Sequence, residues 1–543
     1  MTGSASLNRE TNRFGSPAAL WFLLASFVFR LVYGANAGLA NDETYYWQWS
    51  RHPALSYFDQ GPGIAWCVRG GTALFGNNPL GIRFVGIVLG TLTGYLVYLT
   101  VRRWFTPQAE QNTVANESIV RGLSTAAPGE LPAFLSLVLL SVAPLLFVGG
   151  IIATYDGPQV FSWAAALYAL TRTLRDDKPI GWYAVGAFVG LGLLCKLTTS
   201  FFAPAVLVFL LLSPTYRRHL ATPHPYLGLV VAALVFLPVV LWSQQNGWTS
   251  VLHAQALTNR GKGAALGRWT GDFLGGQALV VGPLLFLAEL WGFARLVRFL
   301  QGRSKDASLT AERARFLVCF TGAVLLVCAY TSLKSKLEAN WAAPMHVAGL
   351  MGAGIWLAEA WQKGRARAAI LASVGLSALL TGVLLFPQVL PFLGVRVSSN
   401  LAQKANETYG WSEVVAGVQK ARTSLEAEGK PVFLAGTNYR VPSLLAYFLP
   451  DHPETQELFL SARHDQYWFW TKPETLIGQN ALLCVDDPKP QALAQARLYF
   501  DSVEELPRVQ VFRPGFDGAV KTWELYACRN FHGYNPQAHV EGY

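Results

Sequence analysis

Two adjacent carboxylates, Asp42 and Glu43, follow the first apolar segment of the chain and precede a run of aromatic residues that begins at Tyr45. One carboxylate can act as general base on a hydroxyl, while its neighbour tunes the pKa, orients the acceptor or holds a divalent cation. A purely structural helix is the alternative, because Asn41 can cap it and acids favour its N-terminal end. The aromatic rings would then lie along a membrane interface.

A further carboxylate, Asp156, stands in a turn between two apolar segments. A carboxylate this close to hydrocarbon is costly, so a functional role is expected, although a turn aspartate before Gly-Pro is the ordinary explanation. Loops assigned to the same side of the membrane add residues that can bind substrate, each with a bland alternative such as a lysine that only extends to the interface. These residues are Asp59, Lys196, His253, Arg260, Lys262, Lys334, Lys336 and Glu338.

The combination of these groups suggests one kind of chemistry. Cations at the membrane interface suit a lipid phosphate, and a carboxylate suits activation of an acceptor hydroxyl. We therefore expect residues from widely separated stretches to share one cavity at the outer face of the membrane. No His/Cys spacing indicates zinc, so the only metal that the pattern supports is a divalent cation between two carboxylates.

The composition identifies the kind of scaffold that must position these residues. Of 543 residues, 52% are hydrophobic and only 14% are charged, against about 25% charged in an ordinary globular chain. This excludes a disordered chain, a coiled coil and a small disulfide scaffold. A nucleic-acid partner is not expected despite the net charge of +10, because the 43 Lys and Arg are dispersed rather than gathered along a groove.

The predicted fold is mainly α: a polytopic membrane protein of about 11 transmembrane helices (residues 1–394) with a C-terminal α/β domain (residues 395–543). Lys and Arg fall in alternate loops, which predicts a cytoplasmic N-terminus and an extracytoplasmic tail. Cys484 and Cys528 lie in predicted strands of the tail, where a disulfide and two buried thiols are both open. The predicted spans lie near 17–38, 80–101, 132–152, 157–174, 180–196, 200–214, 224–243, 276–298, 315–333, 341–361 and 368–393.

Taken together, these motifs resemble a known superfamily. The acidic pair, Asp156, the segment Gly192-Leu-Leu-Cys-Lys196 and the segment Glu338-Ala-Asn-Trp341 are similar to bacterial members of the protein mannosyltransferase and aminoarabinose transferase superfamily. These are glycosyltransferases of the GT-C fold, families 39 and 83. The tail adds similar segments at 410–413, 437–443 and 465–470.

The resemblance implies a polyprenyl-phosphate-linked sugar as donor, transferred to an envelope glycan, lipid or protein at the outer face of the bacterial cytoplasmic (inner) membrane. It makes Asp42 the catalytic carboxylate and Asp156 its support, with nearby cations on the lipid phosphate. We expect Asp42 to act as base in an inverting transfer. Nucleotide sugars are absent outside the cell, so such a transferase needs a donor already carried across the membrane.

The chain departs from the aminoarabinose transferases at one position: Tyr45 stands where they carry an arginine. The resemblance then leaves the phosphate to other cations, which are Lys196, Arg260, Lys334, Lys336 and Arg83. This departure weakens the specific aminoarabinose activity more than the reaction class.

Two alternatives belong to other functional classes. A transporter or flippase for a polyprenol-linked glycan is disfavoured, because such proteins commonly contain paired repeats, and no repeat is visible here. A membrane-anchored sensor or assembly protein that works through its tail would leave the outward carboxylates unexplained.

Overall fold

The computed structural model describes residues 16–105, 129–259, 267–303, 310–362, 364, 366–395, 406–458, 464–486 and 490–533. Up to residue 395 the described chain is helical. From residue 406 it forms a mixed sheet with flanking helices. The two parts agree in type with the predicted organisation, while the boundary at 394/395 stays a prediction.

The first half of the helical part is built around long apolar segments joined by short loops. Its α-helices are α1 (Pro17–Asn36), α2 (Asn41–Arg51), α3 (Gly63–Phe75), α4 (Pro79–Phe105), α5 (Glu130–Val142), α6 (Pro144–Val148), α7 (Asp156–Arg175), α8 (Gly181–Leu193), α9 (Phe202–Leu212) and α10 (His224–Gln245).

The second half continues the same architecture. Its α-helices are α11 (Thr249–Thr258), α12 (Arg268–Val281), α13 (Pro283–Leu300), α14 (Ala311–Ser332), α15 (Ala343–Gln362), α16 (Arg367–Leu385) and α17 (Val389–Phe392). Short 3-10 helices lie at Leu197–Phe201, Arg217–Ala221 and Ala339–Ala342. The last of these, called the 339–342 turn below, connects α14 to α15.

The protein is a multi-pass membrane protein. Among the described residues, five helices are long and apolar enough to cross a membrane, namely α1, α4, α10, α14 and α16. The pair α12 and α13 gives a sixth if it counts as one span. A helix is found within each of the eleven predicted segments, but several are short, so the expected number of spans stays a prediction.

Two predicted spans are broken. The segment near 276–298 consists of α12 and α13, which meet at an angle of 109°. Gly282 between them has φ 105°, and Pro283 follows it, so the backbone turns where only glycine turns readily and restarts a helix at proline. The segment near 132–152 is divided before Pro144, where Ala143 is extended (φ −67°, ψ 119°).

Small residues let the helices approach closely. A Cβ added at Gly186 in α8 would lie 2.0 Å from the carbonyl oxygen of Gly228 in α10, a contact of the kind that brings apolar helices together in membranes. The main core lies among α5, α7, α9, α14 and α15, where Trp163, Phe316 and Leu350 are completely buried.

The C-terminal part is a five-stranded sheet in the order β2-β1-β3-β5-β4. Strand β1 pairs in parallel with β2 and β3, and β5 pairs antiparallel with β3 and β4. The elements are α18 (Trp411–Glu426), β1 (Val432–Gly436), α19 (Arg440–Phe448), β2 (Thr455–Glu457), α20 (Tyr467–Trp470), a 3-10 helix (Pro473–Leu476), β3 (Asn480–Val485), α21 (Pro490–Tyr499), β4 (Phe500–Phe512) and β5 (Ala519–Phe531).

Cys484 and Cys528 are both buried free thiols. In the β3–β5 register Cys528 pairs with Ala481, three residues from Cys484, which separates the two cysteines by about 10 Å along the strands. They also belong to the cores on different faces of the sheet. The separation is too large for a disulfide, so the thiol alternative is the correct one.

Candidate active site

The acidic pair lies in the first turn of α2. The helix is preceded by Ala40, and Glu43 reaches back to accept a hydrogen bond from the Ala40 backbone N–H at 2.9 Å. Asn41, expected as the cap, is instead the first helical residue. Glu43 therefore plays the part of the glutamate in a capping box, and the helix starts without an Asn cap.

Glu43 is completely buried and fully engaged. Its Oε1 accepts from Arg83 Nε at 2.7 Å and from the Ala153 N–H at 2.9 Å. Its Oε2 accepts from Arg83 Nη2 at 2.6 Å and from the Ala40 N–H. Glu43 thus holds together α2, α4 and the turn at Ala153, which lies between α6 and α7. Since each of its oxygens already accepts two hydrogen bonds, it has no capacity left for a substrate or metal.

Arg83 is equally occupied. Beyond Glu43, it donates to the carbonyl oxygens of Gly34, Ala37 and Gly38 at 2.9, 2.8 and 2.7 Å. All five guanidinium N–H groups are thereby used, and the side chain is 1% exposed. The expectation that Arg83 binds the donor phosphate is therefore wrong: the arginine serves the architecture around α2.

Asp42, one residue earlier, faces a different environment. It is partly exposed, and its Oδ1 accepts a hydrogen bond from the Tyr439 hydroxyl at 3.0 Å. Tyr439 comes from the C-terminal part, just before α19. Beside it Glu407 accepts from the Asn41 N–H at 2.8 Å. Burial raises the pKa of the Glu407 carboxyl, and Asp42 raises it further.

Asp156 is held on both carboxylate oxygens. Its Oδ1 accepts from Lys196 Nζ at 2.6 Å and its Oδ2 from Asn340 Nδ2 at 2.8 Å. Asp156 and Lys196 are 8% and 4% exposed, so Lys196 pairs with the carboxylate instead of extending to the interface. The ammonium also lies 5.0 Å from the centre of the Tyr155 ring.

Tyr155 marks where these groups converge. Burial raises the pKa of its phenol, and the charges of Asp156, Asp42, Asp59 and Glu338 raise it further, in that order. The Tyr46 ring lies edge-on at 5.9 Å. Four carboxylates, Asp42 and Asp156 among them, thus raise the pKa of this partly buried phenol.

Tyr45 and His253 surround Asp59. The Tyr45 hydroxyl donates to Asp59 Oδ2 at 2.7 Å and accepts from the Gln466 N–H at 2.8 Å. His253 Nε2 lies 3.7 Å from Asp59 Oδ1. Tyr45 therefore links the loop after α2 to the C-terminal part. An arginine at this position could donate to Asp59 but could not accept from the Gln466 N–H.

Of the other predicted cations, the structure describes Lys334 and Lys336. Lys334 and Lys336 follow α14 and are exposed, and Lys334 contacts the exposed Tyr330 through its hydroxyl and ring. Arg260 and Lys262 lie outside the described residues. Within the described ranges, no cluster of three or more His, Cys, Asp or Glu could hold a metal ion.

Sequence reasoning missed the residues that complete the site. Asn340 and Tyr439 lie inside segments that carry the superfamily resemblance, yet neither residue type predicts its carboxylate partner, 184 and 397 positions away. Glu407 had no signal, because a single acid in a polar stretch is ordinary.

Solved structures of known proteins have a similar fold. The family model described as dolichyl-phosphate-mannose-protein mannosyltransferase matches residues 59–125 and 122–242. The crystal structure of ArnT from Cupriavidus metallidurans in the apo state covers 94% of this chain and 98% of its own, with a TM-score of 0.59 and 16% identity. The same protein bound to undecaprenyl phosphate gives a TM-score of 0.57, 17% identity and coverage of 94% and 97%. The chain therefore has the GT-C fold.

Curated relatives match over part of the chain. The lipid A galacturonosyltransferase RgtD of Rhizobium johnstonii is 30% identical over 327 residues, which is 60% of this chain and 61% of that protein. The undecaprenyl phosphate-alpha-4-amino-4-deoxy-L-arabinose arabinosyl transferase of Pseudomonas paraeruginosa is 28% identical over 259 residues, 43% of this chain and 40% of that protein. The chain thus matches 61% of the length of the first relative and 40% of the length of the second.

Proposed function

We propose that this chain, a member of the GT-C superfamily that includes the protein mannosyltransferases and aminoarabinose transferases, transfers a sugar from a polyprenyl-phosphate donor to an envelope acceptor. Relatives named as lipid A and undecaprenyl-phosphate-sugar transferases support this reaction class and favour a glycolipid acceptor. The observation that carries the proposal is the contact between the turns that hold Asp42 and Asp156. Glu43, next to Asp42, accepts from the Ala153 N–H at 2.9 Å, and the Tyr46 ring lies 5.9 Å from the Tyr155 ring.

The proposed setting is the outer face of the bacterial cytoplasmic membrane. Residues 1–394 would form the transmembrane catalytic domain and residues 395–543 an extracytoplasmic domain. The alternating basic loops support this orientation. The contact of Tyr439 with Asp42 supports it as well, because it sets the C-terminal part on the same side as the acidic pair.

Asp42 is the proposed general base. Of the two adjacent acids it alone is partly exposed, whereas every oxygen lone pair of Glu43 is used by Arg83 and backbone N–H groups. Asp42 takes the proton of the acceptor hydroxyl while the oxygen attacks C1 of the donor sugar. The bond from C1 to the phosphate oxygen breaks, its electron pair leaves with the polyprenyl phosphate, and the configuration at C1 inverts.

Charge that develops on the leaving phosphate requires cations. Lys196 is the best placed, because it pairs with Asp156 at 2.6 Å and lies 5.0 Å from the centre of the Tyr155 ring. Lys334 and Lys336 at the end of α14, and Arg260 and Lys262 beyond the described residues, stay predictions for this role. Asp156 orients Lys196 and compensates its charge before the donor arrives.

The test is a transfer assay on the purified protein in lipid nanodiscs, with the donor and acceptor identified by mass spectrometry of envelope lipids from cells with and without the protein. Asp42→Asn should abolish transfer and leave the thermal midpoint unchanged. Asp177→Asn makes the same chemical change in the loop after α7 on an exposed side chain, and should keep full activity. Normal turnover by Asp42→Asn would remove Asp42 from the base role.

A further inference from the structure

Three completely or almost completely buried polar side chains form a chain of hydrogen bonds inside the helical part. His346 of α15 is 0% exposed, Glu289 of α13 is 2% and Gln277 of α12 is 0%. His346 Nδ1 lies 2.8 Å from Glu289 Oε2, and His346 Nε2 lies 2.9 Å from Gln277 Oε1. Ionisable groups in a membrane interior are costly and usually serve a function, and the reaction mechanism above uses none of these three.

The hydrogen bond between Gln277 and Ala339 fixes which groups in this series donate and which accept. Gln277 Nε2 donates to the carbonyl oxygen of Ala339 at 3.0 Å, so Gln277 Oε1 faces His346 and must accept. His346 Nε2 therefore carries a proton, and a second proton lies between Nδ1 and Glu289. Whether that proton belongs to the imidazole or to the carboxyl, the net charge of the pair is zero and the direction toward Ala339 is the same.

The series of hydrogen bonds ends on the 339–342 turn and not on another α-helix. Ala339 is followed by Asn340, whose side-chain amide donates to Asp156 Oδ2 at 2.8 Å. Gln277 thus holds the backbone on one side of Asn340, and Asn340 holds one oxygen of Asp156. If the three residues only joined helices, apolar side chains of similar volume would do so at lower cost.

The backbone also makes room for Glu289. A Cβ added at Gly349 in α15 would lie 1.9 Å from Glu289 Oε1, so a side chain at that position would displace the carboxylate. Glycine in the middle of a buried helix lowers helix stability. Its presence opposite Glu289 fits a site built to keep the carboxylate against His346.

We infer that Glu289, His346 and Gln277 are positioning residues that hold the 339–342 turn so that Asn340 fixes Asp156 beside Lys196. This inference rests on the proposed function, because the benefit of a fixed Asp156 is sugar transfer. The three residues touch no reacting atom and act through Asn340.

The first experiment removes the anchor at constant size. Gln277→Leu deprives both Ala339 and His346 of their partner, and we expect kcat to fall by about tenfold to a hundredfold with little change in the KM for the donor. Trp356→Phe is the matched control: it breaks a hydrogen bond from α15 to the carbonyl of Ala288 in α13, at 3.2 Å, and does not reach the turn. It should lower stability without lowering kcat.

Conservative replacement separates positioning from packing. Glu289→Gln can donate its amide N–H to a neutral His346 and keep the direction of the chain, so it should retain activity within about threefold, whereas Glu289→Leu should behave like Gln277→Leu. The double variant Gln277→Leu with Asn340→Ala should be no slower than Asn340→Ala alone, because both changes interrupt one route.

A second readout is independent of catalysis. Hydrogen–deuterium exchange of peptides spanning residues 333–343 should be faster in Gln277→Leu than in wild type or Trp356→Phe. Equal exchange in all three proteins, or multiplicative losses of kcat in the double variant, would overturn the inference. If wild-type protein transferred no sugar but the exchange contrast persisted, the proposed function would fail while the positioning of the turn would stand.

Discussion

Replacing Glu43 by glutamine should destabilise the protein far more than the loss of one charge on its surface would. Arg83 is 1% exposed and would keep its three carbonyl acceptors at Gly34, Ala37 and Gly38. The amide that replaces Oε2 would bring N–H groups against Arg83 Nη2 and the Ala40 N–H, now 2.6 and 2.9 Å from that oxygen. Removing one partner of a buried ion pair costs about 3–5 kcal/mol. Since the carbonyls still solvate the guanidinium, we expect the lower end, about 3 kcal/mol.

The assay is unfolding of the purified protein in one detergent, followed by tryptophan fluorescence. Glu454→Gln is the matched control, because Glu454 pairs with Arg51 at 2.8 Å with 60% of its side chain exposed, and such a pair contributes less than about 1 kcal/mol. If Glu43→Gln were as stable as Glu454→Gln, the account of Glu43 as the anchor of α2 would be refuted.

Two further predictions concern the C-terminal part. Tyr439→Phe removes the hydroxyl that donates to Asp42 at 3.0 Å; kcat should fall by about tenfold at unchanged thermal midpoint, and an unchanged kcat would exclude this part from the chemistry. Burial lowers the pKa of Lys521 from 10.5 to about 8, so the unfolded chain binds the extra proton between those values. Stability should therefore rise with pH from about 8 to 10.5. The neutral amine keeps its contacts, because it still has two N–H groups for the carbonyls of Asn406 and Glu407. Lys521→Met should lose this pH dependence in thermal unfolding, and a slope that persists would assign it to another group.

Hydropathy placed a helix in each of the eleven predicted segments, because the length and apolarity of a segment are properties of the segment alone. It did not indicate α3 or α11, which lie between the predicted spans. It could not locate breaks such as the one at Gly282, where one residue with positive φ divides a predicted span. The strand-like runs at 431–435, 481–485, 509–512 and 523–527 also predict β1, β3, the end of β4 and β5. Strand β2 was not predicted, since three residues, Thr455–Glu457, give no periodic signal.

The candidate site was predictable as a set of residue types but not as a set of partners. Asp42 and Asp156 were singled out because carboxylates at a membrane boundary are unusual. Arg83 was misassigned for a physical reason: a guanidinium suited to a phosphate is equally suited to a carboxylate. Glu43 decided between them, because it contacts Arg83 at 2.7 Å although it lies 40 positions away in the sequence.

The different roles of Asp42 and Glu43 follow from hydrogen-bond capacity and not from acid strength. Glu43 already accepts four hydrogen bonds. It would have to break one of them to take the proton from the hydroxyl of the acceptor substrate. Asp42 is partly exposed, and Tyr439 reaches one of its oxygens from a separate part of the chain. Two adjacent acids are thereby divided by their environments into one that builds the site and one that can react, the same division that lets paired carboxylates take separate roles in other enzymes.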